Sequence, residues 1–251
     1  MSTTFNSKYL LVIPVFNEEH NLPSLISRLE ECSLDNKVDI LFIDGCSNDN
    51  SLKIIKDSSL NKLILFYKGK NRLTGQLQKA YKYCLQNNYL GVVTMDGNNK
   101  DDPCFVESFI EKLEVGYDYV QGSRFMHYGK SINLPLFRKI MIKIIHLPIV
   151  KIASGFKYTD TTQGYRGYSR KLLLDENINV FKKNSKRYQL LLQITLLAPK
   201  CGLRIIEVPT TRTYINNKLQ TKFNVFSLSL SKPKKKRSLR KVKYLFGNLR
   251  N

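Results

Sequence analysis

The sequence predicts an α/β protein with a mostly parallel central sheet flanked by helices. Three observations lead there. Apolar runs of strand length alternate with segments whose apolar residues recur at helical spacing. Acidic and amide residues follow directly on three of those runs, where an open α/β sheet carries its ligand. The chain has 251 residues, 42% of them hydrophobic, which suits a globular domain large enough to bury a core.

The elements follow in order. Tyr9–Val15 reads as a first strand. Leu22, Leu25, Ile26 and Leu29 then share one helical face, with Asn21 near its cap. Val38–Ile43 is a second strand, Asp49–Lys56 a short helix and Lys62–Tyr67 a third strand. Leu77, Ala80, Tyr81 and Cys84 mark another helix, and Leu90–Met95 a fourth strand. Val106, Phe109, Ile110 and Leu113 form a further helical face before a fifth strand at Tyr117–Gln121. The second half is less regular. It reads as an amphipathic helix over Leu134–Ala153 interrupted at Pro148, a strand over Thr162–Ser169, a helix over Tyr188–Ala198 and a strand over Leu203–Val208. Beyond Pro209 a loop and tail are expected. The domain reading is one unit over 1–228 and a basic tail over 229–251.

Composition excludes several classes. Five scattered cysteines without a CxxC predict neither a disulfide framework nor a zinc module, only idle thiols in a reducing compartment. The three histidines lie far apart, which argues against a histidine metal site. No apolar run approaches the roughly 18 residues of a membrane span. Tyr9–Phe16 runs into Asn17-Glu18-Glu19 without a small-residue cleavage pattern, so it is not a signal peptide. The expected location is cytoplasmic, peripheral to the membrane.

Charge is uneven. The net charge is +21, and 12 of the 41 basic residues lie beyond Glu207, where there is no acid. Leu239, Val242, Leu245, Phe246 and Leu249 recur among those charges. An amphipathic helix on an anionic membrane fits this pattern better than a nucleic-acid contact or a solvated tail.

The chemistry-bearing residues cluster after strands. Pro14-Val15-Phe16-Asn17-Glu18 follows the first, Asp44-Gly45-Cys46-Ser47-Asn48-Asp49 the second, and Asp96-Gly97-Asn98-Asn99-Lys100-Asp101-Asp102 the fourth. No GxGxxG follows the first strand and no GxxxxGK[ST] occurs, which counts against a dinucleotide Rossmann site and a P-loop. An acidic rim of this kind meets phosphates through a metal or through Lys and Arg.

Those three blocks resemble family 2 glycosyltransferases, of the dolichol-phosphate mannose synthase-like branch. Val120-Gln121-Gly122-Ser123-Arg124-Phe125, Asp160-Thr161-Thr162-Gln163-Gly164-Tyr165-Arg166, Ile206-Glu207-Val208-Pro209 and Lys222 fit the same branch. The blocks keep the family's order over residues 8–223. The resemblance implies the GT-A fold, a nucleotide-sugar donor and inverting transfer to a lipid-linked acceptor, a polyprenyl phosphate or a lipid-linked saccharide.

The resemblance also assigns residues. Pro14, Phe16, Asn17, Glu18 and Asp44 would hold the nucleoside. Asp96, with Gly97 and Asn98, would carry a divalent cation, Mg²⁺ or Mn²⁺, on the donor diphosphate. Arg212 and Lys222 would neutralise that diphosphate. Ser123, Arg124 and Arg166 would meet the acceptor, and Asp96, Arg124 and Asp160 carry the catalytic expectation. Asn98 stands where the family has a second Asp, and a neutral amide is a poorer ligand for such a cation. Lys100 stands where the family often has a neutral residue. A phosphate acceptor needs no base, whereas a sugar hydroxyl needs a carboxylate, for which Asp101, Asp102 and Asp160 are candidates. The alternatives are a surface-polysaccharide transferase acting on a hydroxyl and a non-catalytic nucleotide-sugar-binding homologue.

Overall fold

The computed structural model describes residues 7–34, 37–70, 72–182 and 188–214. Its elements run in order as β1 (Tyr9–Val15), α1 (Leu22–Glu31), β2 (Asp39–Asp44), α2 (Ser51–Asp57), β3 (Lys62–Phe66) and α3 (Arg72–Gln86). Then come β4 (Gly91–Thr94), α4 (Val106–Glu114), β5 (Tyr119–Ser123), β6 (Lys130–Ile132), α5 (Leu136–Met141) and α6 (Leu147–Ser154). β7 (Arg166–Ser169), α7 (Arg170–Leu174), α8 (Gln189–Leu197), β8 (Ile205–Pro209) and β9 (Thr211–Thr213) follow within the described residues.

The main sheet has the order β3-β2-β1-β4-β7-β5-β8. Every pairing is parallel except those of β7, which is antiparallel to both β4 and β5. A strand covered on both faces reads as an unbroken apolar run, and β1 shows why. Leu10 and Val12 enter one core, while Tyr9, Leu11, Ile13 and Val15 enter the other. Leu41 and Ile43 of β2 split from Ile40 and Phe42 in the same way. Leu77, Ala80, Tyr81 and Cys84 of α3 close the first core, and Leu22, Leu25, Ile26 and Leu29 of α1 close the second. The predicted helical faces are therefore the buried ones.

The reversed direction of β7 positions the site. Arg166 at its start lies in register with Thr94 of β4 and Gln121 of β5. The loop before β7 thus reaches the same rim as the carboxyl ends of β1, β2, β4 and β5. A second, two-stranded sheet pairs β6 with β9, and an isolated bridge joins Asp101 to Arg212.

Several expectations change. The strand expected from Thr162 begins at Arg166, because Thr162–Gly164 turn into the rim. The fifth strand runs to Ser123 and carries that residue into the sheet. The segment expected as loop beyond Pro209 contains β9, and β6 and α7 also went unforeseen; three to five residues are too few for periodicity to register. The amphipathic segment is two helices joined by a π-helical turn at Ile142–His146. Pro148 follows that turn, where it lacks the amide that would bond the preceding helical carbonyls. The idle-thiol reading is corrected for two residues: Cys32 and Cys104 form a disulfide, while Cys46, Cys84 and Cys201 are free. Among the described residues no helix is long and apolar enough to cross a membrane. Lys222 and the basic tail lie outside the described residues.

Candidate active site

Two loops at the carboxyl ends of β1 and β2 are stitched together by side chains. Asn17 accepts from the Asn48 amide at 3.0 Å, and the Asn17 amide donates to Ser47 Oγ at 3.0 Å. The Glu18 amide donates to Ser51 Oγ at 2.8 Å, and the Glu19 amide to Asp49 Oδ2 at 3.1 Å. Buried Gln76 of α3 donates to the carbonyls of Val15 and Ile43 at 2.8 and 2.7 Å, clamping the ends of β1 and β2. Asn17 and Asn99 take left-handed conformations (φ 53° and 54°), which asparagine tolerates and which turn each loop sharply off its strand.

Pro14, Phe16, Asn17, Glu18 and Asp44, the residues expected to hold a nucleoside, lie at and just beyond the ends of β1 and β2. The Arg72 guanidinium stands 3.7 Å from the Phe16 ring centroid, within cation–π range. Asp44 is almost wholly buried and accepts from the Ser47 amide at 3.0 Å and the Ser47 hydroxyl at 2.5 Å. It therefore holds its own turn.

Asp96 follows β4, and two glycines let it sit close to the chain. A Cβ on Gly164 would meet Asp96 Oδ1 at 2.6 Å, and one on Gly97 would meet the Pro14 carbonyl at 2.8 Å. Arg212 of β9 bonds both Asp101 oxygens, at 2.7 and 2.6 Å, and donates to Asp96 Oδ2 at 3.0 Å. The Thr213 amide bonds the Lys100 carbonyl at 2.9 Å, and the Asp102 amide bonds the Thr211 carbonyl at 3.2 Å. These backbone bonds bring Arg212 to the loop. From the other side Arg28 of α1 donates to Asn99 Oδ1 at 2.9 Å and pairs with Asp102 at 3.3 Å. The Cys32–Cys104 disulfide ties α1 to the same loop. Burial raises the pKa of Asp101, with Arg212 opposing it, while the two carboxylates keep Arg212 protonated against its own burial.

The second ion pair is fully buried. Arg124 donates to Asp160 through Nε at 2.6 Å and Nη2 at 3.0 Å, to Thr162 Oγ1 at 2.5 Å, and through Nη1 to the Tyr214 hydroxyl. Asp160 also accepts from the Thr162 amide and hydroxyl at 3.0 and 2.9 Å. Burial alone would raise the Asp160 carboxyl, but Arg124 and the Thr162 donors hold it below the usual carboxylate range. Glu207 of β8 accepts from the amides of Thr159 and Asp160 and so fixes this loop.

Two acceptor-side expectations need correction. Arg166 is 2% exposed, and its guanidinium is bonded to the carbonyls of Gln163, Leu191 and Thr161 and to Thr195 Oγ1 at 2.9–3.1 Å. It pins β7 to α8 behind the rim and does not face an acceptor. Ser123 is fully buried, with its hydroxyl shared between Thr159 Oγ1 and the Phe125 amide. Both were drawn inward by β7 and β5, whose sheet positions the motifs do not reveal.

Sequence reasoning missed Tyr214 and Arg138. Lys100, Arg124, Arg138 and Arg212 lie within 5.7–6.0 Å of the Tyr214 ring centroid. Arg138 enters this cluster from α5, and its burial, with Arg124 and Arg212 nearby, lowers its pKa against the pull of Tyr214. A basic residue within an otherwise apolar helical stretch was the available signal. The rim thus gathers four cations around three paired carboxylates.

For a divalent cation the rim offers anionic Asp96 and the neutral oxygen of Asn98. Asn98 Oδ1 is buried and has no hydrogen-bond partner, the condition of a carbonyl oxygen left for a ligand. These two fit a loosely held cation whose remaining ligands come from a bound phosphate or water. Among the described residues the one group of three potential metal-ligating side chains is Cys32, Asp102 and Cys104, and its sulfurs are bonded to each other.

Comparison with known proteins agrees with this architecture. The Glycosyl transferase family 2 model matches residues 10–175. The chain is 29% identical over 209 residues to the undecaprenyl-phosphate mannosyltransferase of Micrococcus luteus, covering 81% of this chain and 83% of that one. It is 27% identical over 208 residues to the polyprenol monophosphomannose synthase of Mycolicibacterium smegmatis, covering 81% and 77%. Among solved structures, glucosyl-3-phosphoglycerate synthase from Mycobacterium tuberculosis, in complex with Mn²⁺, UDP and glucosyl-3-phosphoglycerate, superposes with a TM-score of 0.58 at 15% identity, over 82% of this chain and 72% of that one. The chain is a glycosyltransferase of GT-A fold that belongs to glycosyl transferase family 2, in its dolichol-phosphate mannose synthase-like branch.

Proposed function

We propose that this glycosyltransferase moves a sugar from a nucleotide-sugar donor to the phosphate of a polyprenyl phosphate at a membrane surface, with inversion at the anomeric carbon. The observation that carries the reading is the state of the rim carboxylates. Asp96, Asp101 and Asp160 each hold an arginine, with contacts of 2.6–3.0 Å. A hydroxyl acceptor needs a carboxylate free to take its proton, whereas a phosphate monoester is already anionic near neutral pH. The four cations around Tyr214 suit a site that brings acceptor phosphate and donor diphosphate together.

In this reading an acceptor phosphate oxygen attacks the anomeric carbon, and the nucleoside diphosphate leaves with the bonding pair on the opposite face. Arg212 lies beside Asp96, where the leaving diphosphate gains charge, and meets it without reorganisation. A divalent cation held by Asp96 and Asn98 would add Lewis-acid stabilisation to the same leaving group. Arg138 meets the acceptor phosphate, since Arg124 is largely engaged by Asp160, Thr162 and Tyr214. Phe16 and Arg72 flank the nucleoside.

The approach to a lipid follows from α5 and α6. Leu136, Phe137, Ile144, Ile149 and Ile152 are 60–84% exposed, and Lys139, Lys143 and Lys151 lie among them. An apolar face edged by basic residues suits the headgroup region of an anionic bilayer. Arg138 is carried on the same segment, which brings it to a lipid phosphate at that surface. The basic tail would add electrostatic attraction.

The test is a transfer assay with the purified chain, UDP- and GDP-sugars, and a polyprenyl phosphate in detergent. The expected product is a sugar phosphodiester of the lipid with inverted anomeric configuration. Arg138→Ala should raise KM for the lipid at least tenfold and leave KM for the donor nearly unchanged. Transfer only to a lipid-linked saccharide would move the acceptor to a hydroxyl, and donor binding without turnover would favour a non-catalytic homologue.

A further inference from the structure

The helical segment that carries Arg138 turns a row of residues toward the body: Arg138, Ile142, His146 and Val150, each four after the last. Ile142 and Val150 are buried, while Arg138 and His146 are half-buried. Arg138 stands 5.7 Å from the Tyr214 ring centroid, and His146 Nε2 lies 2.7 Å from Thr161 Oγ1. In a regular α-helix each step of four overshoots a full turn by about 40°, so three steps would swing such a row about 120° off its face. The π-helical turn at Ile142–His146 takes more residues per turn and holds the row against the body, leaving Ile144 and Ile149 exposed.

The 159–162 loop that His146 meets is already fixed from two sides. Glu207 of β8 holds the amides of Thr159 and Asp160. Arg166 donates to the Thr161 carbonyl at 2.9 Å and also bonds the Leu191 carbonyl of α8. On either side of Thr161, Asp160 and Thr162 both bond Arg124. The bond from His146 therefore ties the α5–α6 segment to a rigid part of the rim. Burial lowers the pKa of the imidazole, with Asp160 opposing and Arg166 reinforcing, so the ring is neutral at pH 7 and adds nothing to the cations there.

We propose that His146 is a positioning residue for the acceptor, an inference that rests on the reading that Arg138 meets the acceptor phosphate. Its bond to Thr161 fixes the helical row, and Arg138 two places back along it, relative to the Arg124–Asp160 pair. The phosphate then meets an arginine already in place. Preorganisation of this kind spares the ordering that a ligand must otherwise impose, so it acts on acceptor binding and not on the donor.

The test measures transfer to a polyprenyl phosphate in detergent by the full chain. It compares wild type with His146→Ala, His146→Gln, Thr161→Val, the double variant His146→Ala with Thr161→Val, and Arg138→Ala. Loss of one buried hydrogen bond corresponds to a change of about fivefold to tenfold. His146→Ala should raise KM for the lipid by that factor and leave KM for the donor nearly unchanged. His146→Gln, whose amide reaches the place of Nε2, should restore most of the loss. Thr161→Val should match His146→Ala, and the double variant should be no worse than either, because all three remove the same bond. Thr161→Val also tests the bond on its own if melting curves show that His146→Ala is unfolded. Partitioning of the folded variants to anionic vesicles should equal that of wild type, since the exposed apolar face is intact. A folded variant without the bond that keeps the wild-type KM for the lipid overturns the proposal, as do additive effects in the double variant or an equal rise in KM for the donor. Arg138→Ala separates this inference from the acceptor reading. If it raises KM for the lipid and loss of the His146 bond does not, the positioning role alone falls. If it leaves that KM unchanged, the acceptor reading falls and takes this inference with it.

Discussion

Replacing Asp160 with Asn tests whether this carboxylate is a proton acceptor or the counter-ion of a buried arginine. Asp160 and Arg124 both have 0% side-chain exposure, and they meet through two bonds at 2.6 and 3.0 Å. The substitution keeps the shape and removes the charge, leaving Arg124 ionised in the interior. Losing one partner of such a pair costs about 3–5 kcal/mol. At about 2–4 °C per kcal/mol for a chain of this size, the melting temperature should fall by about 6–20 °C. Circular dichroism melts at pH 7 measure it directly. The pH dependence gives a second readout. A carboxyl held below its unfolded value of about 3.9 contributes stability that is complete above that value and is lost as pH falls through the folded value. Wild type and Asp160→Asn should therefore differ most near neutral pH and converge in acid. A variant that melts within 2 °C of wild type, yet has lost transfer, would refute the counter-ion assignment. It would make Asp160 the base for a hydroxyl acceptor.

Two further outcomes follow from the packing. Denatured, unreduced protein should titrate three thiols and reduced protein five, since Cys32 and Cys104 are paired and Cys46, Cys84 and Cys201 are free; a count of five before reduction overturns the pairing. Reduction should also lower stability by about 2–4 kcal/mol. Phe137→Asp with Ile152→Asp removes two side chains that are 73% and 84% exposed. At about 1.5 kcal/mol each, partitioning to anionic vesicles should fall by roughly 100-fold, and unchanged sedimentation with vesicles would sink the membrane-facing role of α5 and α6.

Much of the fold was readable because it rests on local pattern. Leu10 to Val15 form a run that only a two-sided core accepts, and Leu22, Leu25, Ile26 and Leu29 recur at one helical face. Strand ends were equally legible, because Asn17, Asp44 and Asp96 break apolar runs with residues that belong at a rim. Arg124, Asp160 and Arg212 could be singled out, but not which carboxylate each arginine meets. Arg166 shows the limit most plainly. It sits in the same block as Asp160 and both are buried, yet Asp160 turns to Arg124 and Arg166 to a carbonyl of α8. The block enters β7 between them, and an arginine at a strand start is read identically whether it points to solvent or to the carbonyls of a neighbouring helix.

By itself the sequence determined the alternating α/β class, the helical faces, the acidic rim and the concentration of basic charge beyond Glu207, since each is written in residues close along the chain. Tertiary structure alone decided which charges meet. Arg212 reaches Asp101 across 111 residues because β9 bridges to that loop. Arg124 reaches Asp160 because β7 runs antiparallel between β4 and β5. Arg138 joins them from α5, and Cys32 finds Cys104 across 72 residues. Strand order and direction set those encounters, and both are settled by packing the whole sheet between its helices, so no local period records them.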